Sequence, residues 1–478
     1  MNHSKYLRGA AVLTLGGLAA KAIGAMYRIP LTNLLGGYGM GLYQMAYPVF
    51  CVLLTFSSAG IPSAFSRVIA RESARGEEDG STVKTALRLF ALLGLTGSVI
   101  MCLLAPLMAS MQGDASLLRC YLYLSPSVAL VALLAVVRGY FQGKGDMTPT
   151  AVSELIEQVT KAGVGLFFAY RYHETPALAA AYVLFAVTIS EAVALIILLL
   201  RYKGEYHVRK LRAQNPSGTQ IFFLALPVMV AASLLPLSQT VDSIVIVRLL
   251  GLHTPNAVAR YGLFAGGATS LVGLSSTACY GLAAASVPAV SAAVARGDHE
   301  EGRKRAIYAL LFTMLLSVPC GLGLFLFAKP IVALLFPSLT GGEAELLVRL
   351  VKLMSVSAVS LAGVDTLAAC LTGMGRAKNA ALGMLVAVVV KLVIQLALVG
   401  DARIGIVGAA AAANICYLIA FFLDLFYTVR KQKEGYEHDH DNRVRGKRGG
   451  RHPQGAQGNE GSGRGHRAHR RSRLGTRA

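Results

Sequence analysis

About a dozen apolar stretches, most of them twenty or more residues long, fill the chain from Leu7 to Val429. A run of about 20 apolar residues spans the hydrocarbon core of a bilayer. A chain that crosses it must be helical or a closed barrel to satisfy its backbone. These runs are too long for barrel strands, so the sequence predicts an all-α polytopic membrane protein. Hydrophobic residues make up 54% of the 478 and charged residues 15%, too apolar for a soluble fold of this size.

Twelve spans are predicted: 8–30, 42–63, 86–110, 118–138, 150–170, 177–200, 219–249, 259–287, 306–328, 346–372, 379–399 and 405–429. Basic residues recur after every second span, as in Arg67, Arg71, Arg75 and Lys84, or Arg138 and Lys144. The alternate loops are poorer in bases, so positive-inside bias places both termini in the cytoplasm. The connection from Lys329 to Glu345, with two prolines and paired glycines, reads as a loop. The first run is too long for a signal-peptide core, carries Lys21 and Arg28, and reads as a retained helix. Three regions follow: an N-terminal six-helix lobe (1–212), a C-terminal six-helix lobe (213–430) and a basic tail (431–478). The tail is poor in apolar residues and predicted to be disordered. The seven cysteines lie in or beside apolar segments with no CxxC pair, which predicts buried thiols, no disulfide framework and no metal site.

The two halves repeat. Arg138–Gly163 aligns with Ala368–Val393, placing Gly143 on Gly373, Gly145 on Gly375 and Lys161 on Lys391, 230 residues apart. Upstream, Ser66–Asp79 resembles Val287–Glu300 at an offset of 221. Six spans per half keep both halves in one orientation, a parallel repeat of the kind in which transporters place a site between lobes.

At these residues the chain resembles a known family. Lys21–Pro48 (KAIGAMYRIPLTNLLGGYGMGLYQMAYP), Ser57–Ala70 and Arg138–Gln158 (RGYFQGKGDMTPTAVSELIEQ) are similar to the stage V sporulation protein B and polysaccharide-export branch of the MOP flippases. That superfamily includes the lipid II flippase of peptidoglycan synthesis and the multidrug and toxin extrusion (MATE) transporters. The resemblance covers about residues 5–430 and implies a MATE-like V of two lobes, with an alternating-access cavity for a polyprenyl-diphosphate-linked saccharide. Many members of the branch carry two further C-terminal helices; the apolar pattern here stops near Val429.

Ionisable residues inside the spans are the candidate site, since each is costly in lipid and usually faces a cavity or a partner. Lys21 and Arg28, seven apart in span 1, share a helix face and suit a diphosphate. Glu154, Glu157, Gln158 and Lys161 form one stripe in span 5, with Glu157 and Lys161 spaced to pair. Lys391 with Gln395 is the matching stripe in span 11. Asp242 in span 7 falls beside the span 1 cations when Asn33–Gly37 is aligned with Arg248–Leu252, and is expected to pair with Arg28 or Lys21 in one state. Pro227 and Pro236 predict a kinked, gating span 7. Lys21, Arg28, Asp242, Glu157, Lys161 and Lys391 are thus the expected substrate-binding set, with Glu154, Asp365, Pro227 and Pro236 for gating or coupling. Glu191 and Asp424 are weaker candidates, Asp424 being close enough to the cytoplasmic end to be solvated.

The expected protein is a flippase of the bacterial cell membrane rather than an enzyme. It needs no cofactor, works as a monomer among membrane lipids with Na+ or H+ as a possible coupling cation, and has no nucleic-acid partner. A cation-coupled multidrug exporter is the alternative, but its site should be acidic and aromatic; span 1 is cationic and Trp is absent. A membrane enzyme acting on lipid-linked sugars would need clustered acids, bases or a metal at an external face, and the short external loops lack them.

Overall fold

The computed structural model describes residues 3–58, 60–75, 80–205 and 218–430. The predicted tail and the lobe boundary at 212/213 lie outside them. Among the described residues every regular element is a helix. The first half holds α1 (His3–Ser58), α2 (Ile61–Arg75), α3 (Gly80–Gln112), α4 (Leu117–Gly143), α5 (Thr148–Arg171) and α6 (Pro176–Glu205). The second half holds α7 (Gly218–Gly251), α8 (Ala257–Gly262), a π-turn (Leu263–Ala268), α9 (Thr269–Ala295), α10 (His299–Leu326), α11 (Ala328–Leu335), α12 (Gly342–Gly373), α13 (Ala377–Val399) and α14 (Ile406–Val429).

Nine helices among the described residues are long and apolar enough to cross a bilayer. One of them, Val12–Phe56, has 45 residues, about twice what one crossing needs. It breaks at Gly36 (φ 64°, ψ −177°), a backbone open to a residue without Cβ. Spans 1 and 2 are therefore one helix with an internal corner. Helix α5, whose charges lower its hydropathy, and the rod of α8, π-turn and α9 complete twelve rods, in register with the twelve predicted spans.

One expectation is corrected. The 329–345 connection is not wholly a loop, because α11 occupies its start. Helix α7 is continuous through Pro227 and Pro236, and departures from regular α-helix occur at Gly36 and in the π-turn.

The repeat reappears as packing. Gly145 and Gly375 both end a helix with positive φ, 79° and 75°. A methyl group at Gly143 would sit 2.8 Å from the Ser66 carbonyl oxygen and 2.6 Å from Ile69 Cβ; one at Gly373 would sit 3.0 Å from the Val287 oxygen and 3.4 Å from Val290 Cβ. Both sequence offsets thus meet in one pair of equivalent contacts. Small residues let these helices approach closely: Ala179, Ala180 and Ala181 of α6 are fully buried, as are Ala409 and Ala410 of α14. Leu103 and Leu315 face outward, 74% and 73% exposed, as the lipid-facing side of a bundle requires.

The halves also touch across one end of the molecule. Asn33 Nδ2 donates to the Leu335 carbonyl at 2.7 Å and Ser338 Oγ donates to Asn33 Oδ1 at 2.8 Å. Gln44 donates to the Ala265 carbonyl (2.9 Å), and Gln112 donates to Ser243 Oγ (2.8 Å). Arg248 donates to the Ser110 and Met111 carbonyls, the latter at 2.7 Å. These contacts surround the corner at Gly36 and close that end.

Candidate functional site: a cationic cavity between the halves

A cavity of about 720 Å³ lies beneath this seal, walled by α1, α4, α5 and α9. It runs from Leu13 and Gln142 to Tyr43 and Tyr47. Lys21 and Arg28 both line it, so the seven-residue spacing puts two cations on the cavity face of α1. Glu154, Glu157, Gln158 and Lys161 line it from α5, and Ser270, Gly273 and Thr277 face them from the second half.

The expected Glu157–Lys161 pair does not form. Glu157 Oε2 takes a hydrogen bond from Arg138 Nη2 of α4 at 2.9 Å, and Gln158 Nε2 donates to Glu157 Oε1 at 3.1 Å. Arg138 Nε also donates to Ser153 Oγ (2.9 Å), so the guanidinium grips α5 at two points. Lys161 and Arg28 make no hydrogen bond or ion pair among the described residues, yet they are close enough to repel each other. Glu157 and then Glu191 attract Lys161 from beyond ion-pair distance, and two like charges held this close in a half-buried cavity favour a shared anion. Lys21 stands among acids from both halves, attracted to Glu154 on α5 and Asp365 on α12. Asp365 itself accepts a hydrogen bond from Ser276.

Asp242 and Lys391 belong elsewhere. Lys391 Nζ of α13 meets Asp242 Oδ2 of α7 at 2.5 Å and Ser238 Oγ at 2.9 Å. Neither residue lines the cavity. The expected pairing of Asp242 with Arg28 or Lys21 is thus replaced by a pair internal to the second half. The two lysines matched by the repeat have opposite fates: Lys391 is neutralised and Lys161 is not. The reason is visible at the facing positions. Asp242 and its neighbour Gln395 correspond to Tyr27 and Gly165, which pack against each other in the first half. A phenol stands where the carboxylate would be.

Several residues escaped the sequence reading. Arg138 was counted as a loop base, but it lies a full turn inside α4. Its only sequence signal is the string it shares with Glu157 and Gln158. Tyr43, Tyr47, Gln142 and Thr277 line the cavity without any charge to mark them. Glu191 of α6, one of the weaker candidates of the sequence, is 5% exposed, with Oε2 unpartnered among the described residues, and feels both Glu157 and Lys161. Asp424, expected to be solvated, is 1% exposed.

A corner-bearing first helix, two matched bundles and a polar cavity between them define a MATE-like membrane transporter fold. A solved multidrug resistance MATE transporter of the MOP superfamily, in an inward-facing conformation, superposes with a TM-score of 0.69 at 16% identity, over 86% of this chain and 93% of that one. The chain belongs to the polysaccharide biosynthesis protein family, whose model matches residues 6–294; the MatE model matches 227–396. Among curated proteins of Bacillus subtilis (strain 168), stage V sporulation protein B is 28% identical over 430 residues, 86% of this chain and 81% of that protein. The lipid II flippase MurJ is 23% identical over 465 residues, 91% of this chain and 84% of that protein.

Proposed function

We propose that this protein carries a polyprenyl-diphosphate-linked saccharide or peptidoglycan precursor across the bacterial cell membrane by alternating access, making and breaking no bond. The observation that carries this reading is the pair of cations, Arg28 and Lys161, that face one cavity and make no direct ion pair among the described residues. Arg binds diphosphate oxygens in a fork and Lys as a point charge, while Gln142 and Gln158 offer amide groups to a sugar and Thr277, whose hydroxyl donates to the Gly273 carbonyl, offers an acceptor. With both termini cytoplasmic, the sealed end is the outer one and the cavity faces the cytoplasm, the side on which such precursors are made.

The membrane potential, negative inside, favours outward movement of an anionic head group by about 2.3 kcal/mol per charge per 100 mV. Lys21, poised between Glu154 and Asp365, is the natural coupling element: a Na+ or H+ taken up by either acid would free it. The chain acts as a monomer of two lobes, 1–212 and 213–430, within the membrane lipids.

The reading is tested in cells by the exposure of lipid-linked precursors on the outer leaflet after depletion, with redundant flippases deleted. Exposure should fall and be restored by the wild-type chain but not by Arg28→Ala at equal abundance. Unchanged exposure on depletion would remove the flippase reading.

A further inference from the structure

Lys161 follows Glu157 by one helical turn, the orientation in which a Glu–Lys pair is most favourable on a helix. That the pair is absent needs a cause, and it lies on α4. Arg138 takes Glu157 Oε2 at 2.9 Å while Gln158 takes Oε1 at 3.1 Å. Arg138 is held in turn by Ser153 (2.9 Å), whose hydroxyl donates to the Thr150 carbonyl at 2.8 Å. The Arg138–Glu157 side chains are 14% and 15% exposed, so their attraction is little screened by water. Glu157 and Glu191 still attract Lys161, but from beyond ion-pair distance, and Arg138 offsets part of the Glu191 charge too.

We infer that Arg138 is a positioning residue: it holds Glu157 off Lys161 and so keeps the Lys161 ammonium free for the anionic head group. The inference rests on the diphosphate reading of the cavity. Without Arg138, Glu157 closes on Lys161 and the anion loses one of its two cations. Arg138 also lines the cavity, but the two donors it gives to α5 aim it at Ser153 and Glu157, and the double variant below separates this positioning role from direct contact with the anion.

The test is equilibrium binding of farnesyl diphosphate to the purified full chain, with farnesol as the uncharged control. Arg138→Gln weakens farnesyl diphosphate about tenfold or more, the effect of losing one charge-assisted contact. Glu157→Gln tightens it, since both Lys161 and Arg138 are then unclaimed. The double variant Arg138→Gln/Glu157→Gln returns to within about twofold of wild type. Arg138→Lys, which keeps an ion pair with Glu157, retains most of the affinity and guards against a folding defect in the Gln variant. In a Lys161→Gln background, Arg138→Gln adds nothing. A double variant as weak as Arg138→Gln alone overturns the inference, as does wild-type affinity in Arg138→Gln when Lys161→Gln is weak. If the wild-type chain fails to prefer the diphosphate over farnesol, the diphosphate reading itself falls and takes this inference with it.

Discussion

At the scale of single residues, the two repeat-related lysines separate structure from function. Lys391 is a strut. Asp242→Asn leaves its ammonium buried without a counter-charge, which costs about 3–5 kcal/mol, and a large fall in thermal stability in detergent checks it. The double change Asp242→Leu/Lys391→Met should recover most of that loss, since both charges leave together. Lys161 behaves in the opposite way. Lys161→Gln ends the burial of an ammonium and its repulsion from Arg28, which together outweigh the lost attraction of Glu157 and Glu191, so the empty protein should melt at higher temperature while binding farnesyl diphosphate about tenfold more weakly. A parallel drop in both quantities would make Lys161 structural. Lys21, Arg28 and Lys161 were legible in the sequence because a charge inside an apolar run has few excuses. Their partners were not. Spacing on one helix suggested Glu157 for Lys161, but a guanidinium from a neighbouring helix outcompetes an ammonium one turn away, and sequence distance hides that neighbour.

At the scale of helices, the repeat is written in close approaches. Gly143→Ala forces a methyl group against the Ser66 carbonyl and Ile69, where it would stand at 2.8 and 2.6 Å. Overpacking of this kind costs about 1–3 kcal/mol. The equivalent Gly373→Ala has slightly more room, at 3.0 and 3.4 Å, and should be the milder of the two in a thermal-unfolding comparison; the reverse order would contradict the packing described. Hydropathy located all twelve rods because a bilayer demands length and apolarity and little else. It was blind to the corner at Gly36, which lies in a short glycine-rich gap that reads equally well as a loop. Helix α7 runs on through Pro227 and Pro236: a proline costs a helix one hydrogen bond, but neighbouring helices can hold the rest in place.

At the scale of the whole molecule, the end closed by Asn33, Gln44, Gln112 and Arg248 sets which side the cavity faces. Most of these bonds run from a side chain of one half to a backbone carbonyl or hydroxyl of the other, so each is worth only about 0.5–3 kcal/mol and the seal can open. Asn33→Ala removes three bonds to the second half and should shift the population toward the opposite opening. Cys51, which lies near both Arg28 and Lys161, is a native reporter once the other six cysteines are replaced. Its labelling by an impermeant maleimide added outside cells should rise in Asn33→Ala; an unchanged rate would mean that the latch lies elsewhere. The doubled architecture also leaves a short genetic path from one half to the other. Tyr and Asp codons differ by a single base, and codon 27 specifies the phenol at the position that matches Asp242. One transversion there would give the first half the carboxylate that the second half already carries, one turn of α5 beyond Lys161 where Tyr27 meets Gly165.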